Sequence, residues 1–410
     1  MMQPGSADAL TRVRDLLKSR NSGYALPQGL YTSNDAFAFD LQAIFYRHWL
    51  QAGLDSEIPN PGDYLTKTVG RTSIILLRGR DGAVRGFFNT CRHRGAQICQ
   101  EPNGRVRRLV CPYHQWTYDD RGALLQANGT AEDFDREQFG LKPIHVALLA
   151  GVIYVCLSDN PPDFGPICET IGPLLEPHEL WNGKVVHTVT LVEAANWKLV
   201  MENARECLHC RARHPELMRT FREEISMAQG GSEPWLEAFR SDCSARNLDA
   251  DEVEGEWYLA GRYPLAEGTR SLTLDGALAV SKPLGRLGDA NVGTMRWALQ
   301  PNCFNHVTTD YAFLFEALPT GPLETVVTAK WIVHKDAVEG RDYDLSRLIG
   351  LWDVTNRQDL WLSENNQRGV NSLGYMPGPY SEAAESHVRK FVDWYAAAAE
   401  AFLQQSGVPQ

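Results

Sequence analysis

The sequence predicts an α+β protein, a small all-β domain followed by an α+β domain, on three observations. From about residue 50 to 157, short apolar runs alternate with turn residues, the pattern of a small antiparallel β domain. Leu157 to Pro166 is rich in Pro and Asp and reads as a linker. Beyond it, strand-like runs mix with long helical stripes, so helices and strands share one layered domain.

In order along the chain, Ala7, Leu10, Val13, Leu16 and Leu17 have helical spacing, and a second short helix is expected from Asn34 to Trp49. Ser73 to Arg78 is a strand turned at Asp81-Gly82 into Val84 to Phe88, and Gly151 to Cys156 closes the β run. Val185 to Glu193 reads as a strand, and a helix follows from Asn196. Residues 293–334 read as two long strands and 344–366 as a long helix.

Composition narrows the function. A hydrophobic fraction of 43% and a charged fraction of 22% are those of a folded globular chain. The 410 residues suffice for about two to four domains at roughly 100–200 residues each. With 40 basic and 51 acidic residues the net charge is −11, which argues against a duplex nucleic-acid binder. No run approaches the roughly 18 apolar residues of a membrane span, and the opening Met1-Met2-Gln3-Pro4-Gly5 does not read as a signal peptide. Nine cysteines are too few and too uneven for a disulfide scaffold, so a reducing, cytoplasmic setting is expected, with clustered cysteines as metal ligands.

Two clusters carry that chemistry. Cys91-Arg92-His93 is followed by Cys111-Pro112-Tyr113-His114, each offering one thiolate and one imidazole. Two cysteines on one iron and two histidines on the other describe a Rieske-type [2Fe–2S] centre. The rival is zinc, which two Cys and two His also satisfy, although zinc sites usually pair like ligands. The second cluster is His209 and His214 with a distant carboxylate. Two histidines and one carboxylate are the usual open-sided non-heme Fe(II) set. Taken alone, histidines five apart also read as ordinary helical residues. On one helix they would lie about 140° apart, so the helix must bend or end near His214, consistent with Pro215. Glu206, three before His209, is expected on the same helix face.

The carboxylate candidate comes from a stripe. Leu345, Leu348, Ile349, Trp352 and Asn356 mark one helix face, and Asp359 continues it. A carboxylate on a core stripe is costly unless it is paired or bound to metal. Asp353 and Glu364 fall off the stripe and are expected to face solvent, with Glu364 the next candidate. Cys207 and Cys210 form a C-x-x-C, read here as packing thiols.

The segments Cys91-Arg92-His93-Arg94-Gly95 and Cys111-Pro112-Tyr113-His114-Gln115-Trp116 resemble the motif of the Rieske non-heme iron oxygenases, and the resemblance runs over about residues 30–400. The commoner family version has Gly where Gln115 stands. Gln there resembles the branch that oxidises quaternary ammonium compounds, such as glycine betaine monooxygenase and stachydrine (proline betaine) demethylase. The resemblance implies N-terminal helices over 1–42 packing on the catalytic domain, a Rieske [2Fe–2S] domain over 43–157, and a catalytic domain over 158–410 with an antiparallel sheet flanked by helices. It implies that Cys91, His93, Cys111 and His114 hold the [2Fe–2S] cluster, and that His209, His214 and Asp359 hold a mononuclear Fe(II). Glu206 matches an acid that bridges the iron histidine to a Rieske histidine of a neighbouring subunit, which implies a homo-oligomer, commonly a trimer. The implied activity is that of the terminal oxygenase of a monooxygenase, hydroxylating a small amine or quaternary ammonium substrate with O2, with oxidative N-demethylation as one outcome. The alternative is C–H hydroxylation of an amino-acid-like or natural-product compound without demethylation.

Three further features bear on partners and substrate. No G-x-G-x-x-G follows a strand, so electrons from NAD(P)H are expected through a separate flavin and iron–sulfur reductase. Arg92, Arg94, Arg105, Arg107 and Arg108 gather around the cluster motif, suited to an acidic electron donor, to the neighbouring subunit, or simply to solvent. Tyr311, Phe313 and Phe315 share one strand face and, with Trp297 and Phe304, form either an aromatic ammonium pocket or plain core. Met201 and Leu208 stand where betaine-oxidising relatives carry aromatics, pointing toward another small amine.

Overall fold

The structure, a computed structural model, describes residues 7–131, 133–222, 234–288 and 290–407. The opening residues Met1 to Gly5 lie outside them. Contacts divide the chain into two units, Tyr46–Asp163 and a second made of Met1–Phe45 with Phe164–Gln410.

The first unit is built from β1 (Leu50–Leu54), β2 (Asp63–Val69), β3 (Thr72–Arg78), β4 (Val84–Phe88), β5 (Asn103–Arg105), β6 (Leu109–Val110), β7 (Thr117–Tyr118), β8 (Leu124–Gln126), β9 (Pro143–Leu149) and β10 (Val152–Cys156). Seven form an antiparallel sheet in the order β1-β10-β9-β4-β3-β2-β5, and β6-β7-β8 form a separate small sheet. Ile75, Leu77, Phe87, Leu109 and Tyr118 are buried together beneath the two loops that carry the Cys-His pairs.

The second unit holds another seven-stranded antiparallel sheet, made of β11 (Gly183–Glu193), β12 (Val253–Glu254), β13 (Tyr258–Tyr263), β14 (Thr294–Leu299), β15 (Cys303–Val307), β16 (Ala312–Gly321) and β17 (Glu324–His334), in the order β11-β17-β16-β15-β14-β13-β12. The expected fold class therefore stands, with strand detail corrected. Residues 293–334 form four strands, not two, because Pro301-Asn302 and Thr308-Thr309-Asp310 turn the chain inside what reads as continuous apolar sequence. Helix Leu345–Val370 crosses this unit, with Leu348, Leu351, Trp352, Thr355 and Asn356 buried and the Asp344 carboxylate accepting the Arg347 N–H to cap its start. The expected helix from Asn34 to Trp49 stops at Phe45, its last turn widening into a π-turn over Leu41–Phe45. Helices Gln28–Thr32 and Ser386–Gln405 lie outside the elements read from sequence.

One buried polar knot anchors the helix that leads to the site. Asn196 caps helix Trp197–Asn203 by accepting the Lys198 N–H at 3.0 Å. Lys198 pairs with Asp40, both fully buried. The Asp40 carboxylate also accepts from Trp197 Nε1 and Tyr395 OH, each at 2.8 Å. A buried ion pair is tolerable only when every lone pair is matched in this way.

Candidate metal centres

The two Cys-His loops of the first unit are built alike. In each, the amide four residues after the cysteine donates to the cysteine carbonyl: Gly95 to Cys91 and Gln115 to Cys111, both at 3.0 Å. Each closing residue has positive φ, +81° at Gly95 and +60° at Gln115. That explains why glycine is the easier residue at position 115, since a side chain there costs about 1 kcal/mol. Asn89 clamps the first loop from below. Its amide donates to Ser73 Oγ and the Cys99 carbonyl, and its carbonyl oxygen accepts from the Ile98 and Cys99 N–H groups.

Cys91 and Cys111 are buried, whereas His93 is exposed and His114 half-buried. The two imidazoles lie edge to face with centroids 4.6 Å apart, and His93 stacks on Trp116 at 4.9 Å. Tyr118 OH lies 3.3 Å from Cys91 Sγ. Burial raises the Cys91 thiol, and the contact with Tyr118 opposes the shift. Zinc would draw all four donors to one point at about 2.0–2.3 Å. Yet among the described residues, no three of these four donors fall within 4.8 Å of one another. Paired thiols inside and paired imidazoles outside suit two irons better than one zinc. Of the nearby arginines, Arg92 donates to the Gly140 carbonyl, Arg94 lies over Tyr113, and Arg105 pairs with Asp63. Arg107 and Arg108 line the wall of a surface groove in the same unit.

In the second unit, His209, His214 and Asp359 come together. Asp359 Oδ1 lies 3.0 Å from His214 Nε2 and 3.4 Å from His209 Nε2. The ring Nδ1 of each histidine faces an acceptor on the other side: Glu206 Oε1 for His209, and Gln358 Oε1 at 2.7 Å for His214. An Nδ1–H donated outward fixes each ring and turns its Nε2 toward Asp359 as a hydrogen-bond donor; without that proton, the Nε2 lone pair is the one offered to a metal. Burial alone would raise the Asp359 carboxyl, but hydrogen bonds to both histidines outweigh it and hold it at about 2. His209 moves the other way, up to about 9, because bonds to Asp359 and Glu206 exceed the cost of its burial. Three donors on one side, with two tautomers fixed from behind, fit an open-sided Fe(II).

The route to this arrangement differs from the sequence reading. Glu206 and His209 do not share a helix face. The helix ends at Asn203, and a short second helix runs only over Cys210–Arg213. Glu206 lies in the turn between them, accepting the backbone N–H of Leu208 as well as the ring Nδ1–H of His209. Cys207 and Cys210 are joined in a disulfide rather than free, although both are buried as packing residues would be. Glu364 is not beside the histidines; its carboxylate accepts the Ala194 N–H at 3.1 Å. Asp353 pairs with Arg357. Two participants were missed: Gln358, which Glu216 holds in turn by accepting its amide at 2.9 Å, and Asn203, whose amide donates to Asp359 Oδ1 at 2.7 Å. Gln358 was visible only as the neighbour of Asp359, and Asn203 gave no signal.

His209, His214 and Asp359 line one end of a cavity of about 400 Å³. Phe304 and Trp352 also face it. Trp297 does not; it is fully buried, and Tyr311 is core, its hydroxyl donating to the Leu272 carbonyl. Phe313 stacks on Trp352 at 4.4 Å and, with Phe315, borders a small side cavity of about 50 Å³ that also reaches Asp359. Burial, then nearby Asp359, pushes the Glu193 carboxyl in that wall up to about 8. Met201 is fully buried and Leu208 exposed, and neither lines the large cavity, so the missing aromatics at those positions do not alter it.

Comparison with known proteins agrees. Residues 180–401 match the family described as ring hydroxylating alpha subunit (catalytic domain), and residues 48–142 match the Rieske [2Fe-2S] domain. The glycine betaine monooxygenase oxygenase subunit of Pseudomonas aeruginosa is 43% identical over 392 residues, covering 93% of this chain and 90% of that one. Its counterpart in Chromohalobacter salexigens is 41% identical over 399 residues, covering 95% and 89%. Crystal structures of the quaternary ammonium Rieske monooxygenase CntA share the fold, with a TM-score of 0.71 at 20% identity in one complex, covering 94% of this chain and 97% of that one. No helix among the described residues is long and apolar enough to cross a membrane. Matches to both domains, with relatives above 40% identity over nearly their whole length, place the chain in the Rieske oxygenase family as an oxygenase alpha subunit, an oxidoreductase with a Rieske [2Fe–2S] centre and a mononuclear iron.

Proposed function

We propose that the chain is the terminal oxygenase of a monooxygenase that removes an N-methyl group from a small quaternary ammonium compound. In this reading Cys91, His93, Cys111 and His114 hold the [2Fe–2S] cluster, and His209, His214 and Asp359 hold the Fe(II). When bound, the cluster supplies electrons one at a time and the lone iron activates O2. The observation that carries the reading is Asp359 Oδ1 within 3.4 Å of both Nε2 atoms at the wall of a cavity sized for a small molecule. The relatives named for glycine betaine supply the substrate class.

The chain's own residues have defined tasks. Glu206 and Gln358 hold the two imidazole protons at Nδ1, and Asn203 orients the Asp359 carboxylate. Glu206, half-buried beside His209, is the candidate bridge to a cluster histidine of a second subunit, in a homotrimer. Electrons reach the cluster from NAD(P)H through a separate reductase, as is typical of the family, and the setting is cytoplasmic. The domain limits of 43–157 and 158–410, with the helices of 1–42 belonging to the catalytic domain, are part of this reading. Contacts of Arg20 with Asp393 and of Tyr24 with Pro379 support the last point.

Hydroxylation of an N-methyl carbon consumes O2, two electrons and two protons and yields a carbinol and water. The carbinol then splits into formaldehyde, a proton and the tertiary amine. With the reductase supplied, formaldehyde is expected to appear in step with O2 uptake for at least one member of a betaine panel. A stable alcohol of substrate mass plus one oxygen would replace demethylation with simple hydroxylation.

A further inference from the structure

The cavity wall carries more positive charge than it can neutralise. Lys390 pairs with Glu254, and Arg240 with Glu237. Arg262 is held by the carbonyls of Val292 and Leu174 and by His178 Nε2. Arg296 donates to Tyr263 OH at 3.0 Å and reaches Glu252 only at 3.9 Å; the Nε of both arginines is unmatched among the described residues. Glu252 is itself engaged by Tyr263 and His387.

Arg205 has the fewest partners. It is 6% exposed, and no described carboxylate lies within ion-pair distance. Its Nη2 donates to Gln300 Oε1 at 2.6 Å and weakly to the Cys303 carbonyl, while Nε and Nη1 have no partner among the described residues. Burial draws its pKa down to about 10, which leaves it charged at neutral pH. Arg205 and Arg296 approach the same ring, Phe304, at 6.0 and 5.8 Å. All three residues line the cavity that His209, His214 and Asp359 close. A buried guanidinium without a counter-ion is costly, in a chain whose net charge is −11. A plain ammonium ion would add to that excess, whereas an anionic group on the substrate would relieve it.

We propose that Arg205, assisted by Arg296, takes the carboxylate of the substrate, so that the cavity selects zwitterionic N-methylated amino acids over cations that lack a carboxylate. The inference rests on the cavity being the substrate site, as proposed above. The carboxylate would accept charge-assisted hydrogen bonds from Arg205 at the Phe304 side, leaving the N-methyl group to face the histidines. Phe304 then lies between the anionic and cationic ends.

The test uses the holoenzyme and the betaine of the panel that releases formaldehyde fastest, its methyl ester, and choline. Equilibrium binding by calorimetry is read beside KM and kcat. The acid is expected to bind about 10- to 150-fold more tightly than the ester, the range for a charged hydrogen bond. In Arg205→Gln that preference disappears: the acid weakens to the level of the ester, whose affinity holds or rises as a like charge leaves the wall, and the loss for the acid sits in KM rather than kcat. Arg205→Lys recovers part of it. Equal binding of acid and ester by the wild type overturns the proposal, as does an Arg205→Gln variant that weakens both by the same factor. If that variant does not fold, the wild-type comparison and Arg296→Gln decide between the same outcomes. Formaldehyde release from choline as fast as from the acid refutes carboxylate selection and leaves demethylation standing. No formaldehyde from any member of the panel removes the demethylation reading itself, and this inference with it.

Discussion

Replacing Asp359 by alanine is expected to abolish substrate oxidation while leaving the protein coloured. Asp359 Oδ1 is the group nearest both Nε2 atoms, and its removal leaves neither Nε2 facing a carboxylate, with Glu206 still on the far side of His209. Loss of an outer hydrogen-bond partner of a ligand typically costs about 10- to 100-fold in metal affinity or activity, and loss of a ligand must cost more. The partners of Asp359, namely Asn203, His209 and His214, all belong to the second unit, so the visible spectrum of the cluster should be intact. The check is turnover with added Fe(II), beside the spectrum. Wild-type turnover would remove Asp359 from the site. Loss of colour would show a folding defect rather than a missing ligand.

The largest effect on stability is expected from Asp40→Ala. Lys198 and Asp40 are both fully buried, and Asp40 also accepts from Trp197 and Tyr395. Removing the carboxylate strands an ammonium and two donors together, at a cost of about 3–5 kcal/mol. Because Lys198 stands in the first turn of the helix whose end positions Asn203, the loss should reach the iron site as well. Urea unfolding measures it as a lower midpoint at similar slope. A midpoint equal to that of the wild type would mean that the pair contributes nothing. Asp40→Asn separates charge from shape, since it keeps the acceptor geometry on one oxygen.

Much of the chemistry was legible because it is written in short local spacings. Cys91-x-His93 and Cys111-x-x-His114 each offer a thiolate and an imidazole at short spacing, and in the proposed assignment two irons with different donors explain each mixed pair. Asp359 emerged from a long-range argument, a carboxylate where a core stripe predicts an apolar residue, and the structure places it beside the histidines. The turn holding Glu206 was misread because helical geometry was extended through it. The helix ends at Asn203 and the chain turns through Glu206, whose carboxylate accepts the Leu208 N–H, a local bond that apolar periodicity does not encode. The roles of Gln358 and Asn203 were not legible for a related reason. Their partners lie 144 and 156 residues away in sequence, and only the packed fold brings them together. Arg205 belongs to no motif read from the sequence; its burial, and the lack of a counter-ion among the described residues, distinguish it.

The account stands on two separate iron stations in one chain, a relay with mixed thiolate and imidazole donors and a second site with an open side. Iron and acid-labile sulfide counted per chain on the purified, reconstituted protein test this most directly. The expected result is about three iron atoms and two sulfides, from one [2Fe–2S] cluster and one lone iron. Two irons with two sulfides would mean that His209, His214 and Asp359 hold no metal, and zinc without sulfide would mean that neither station exists.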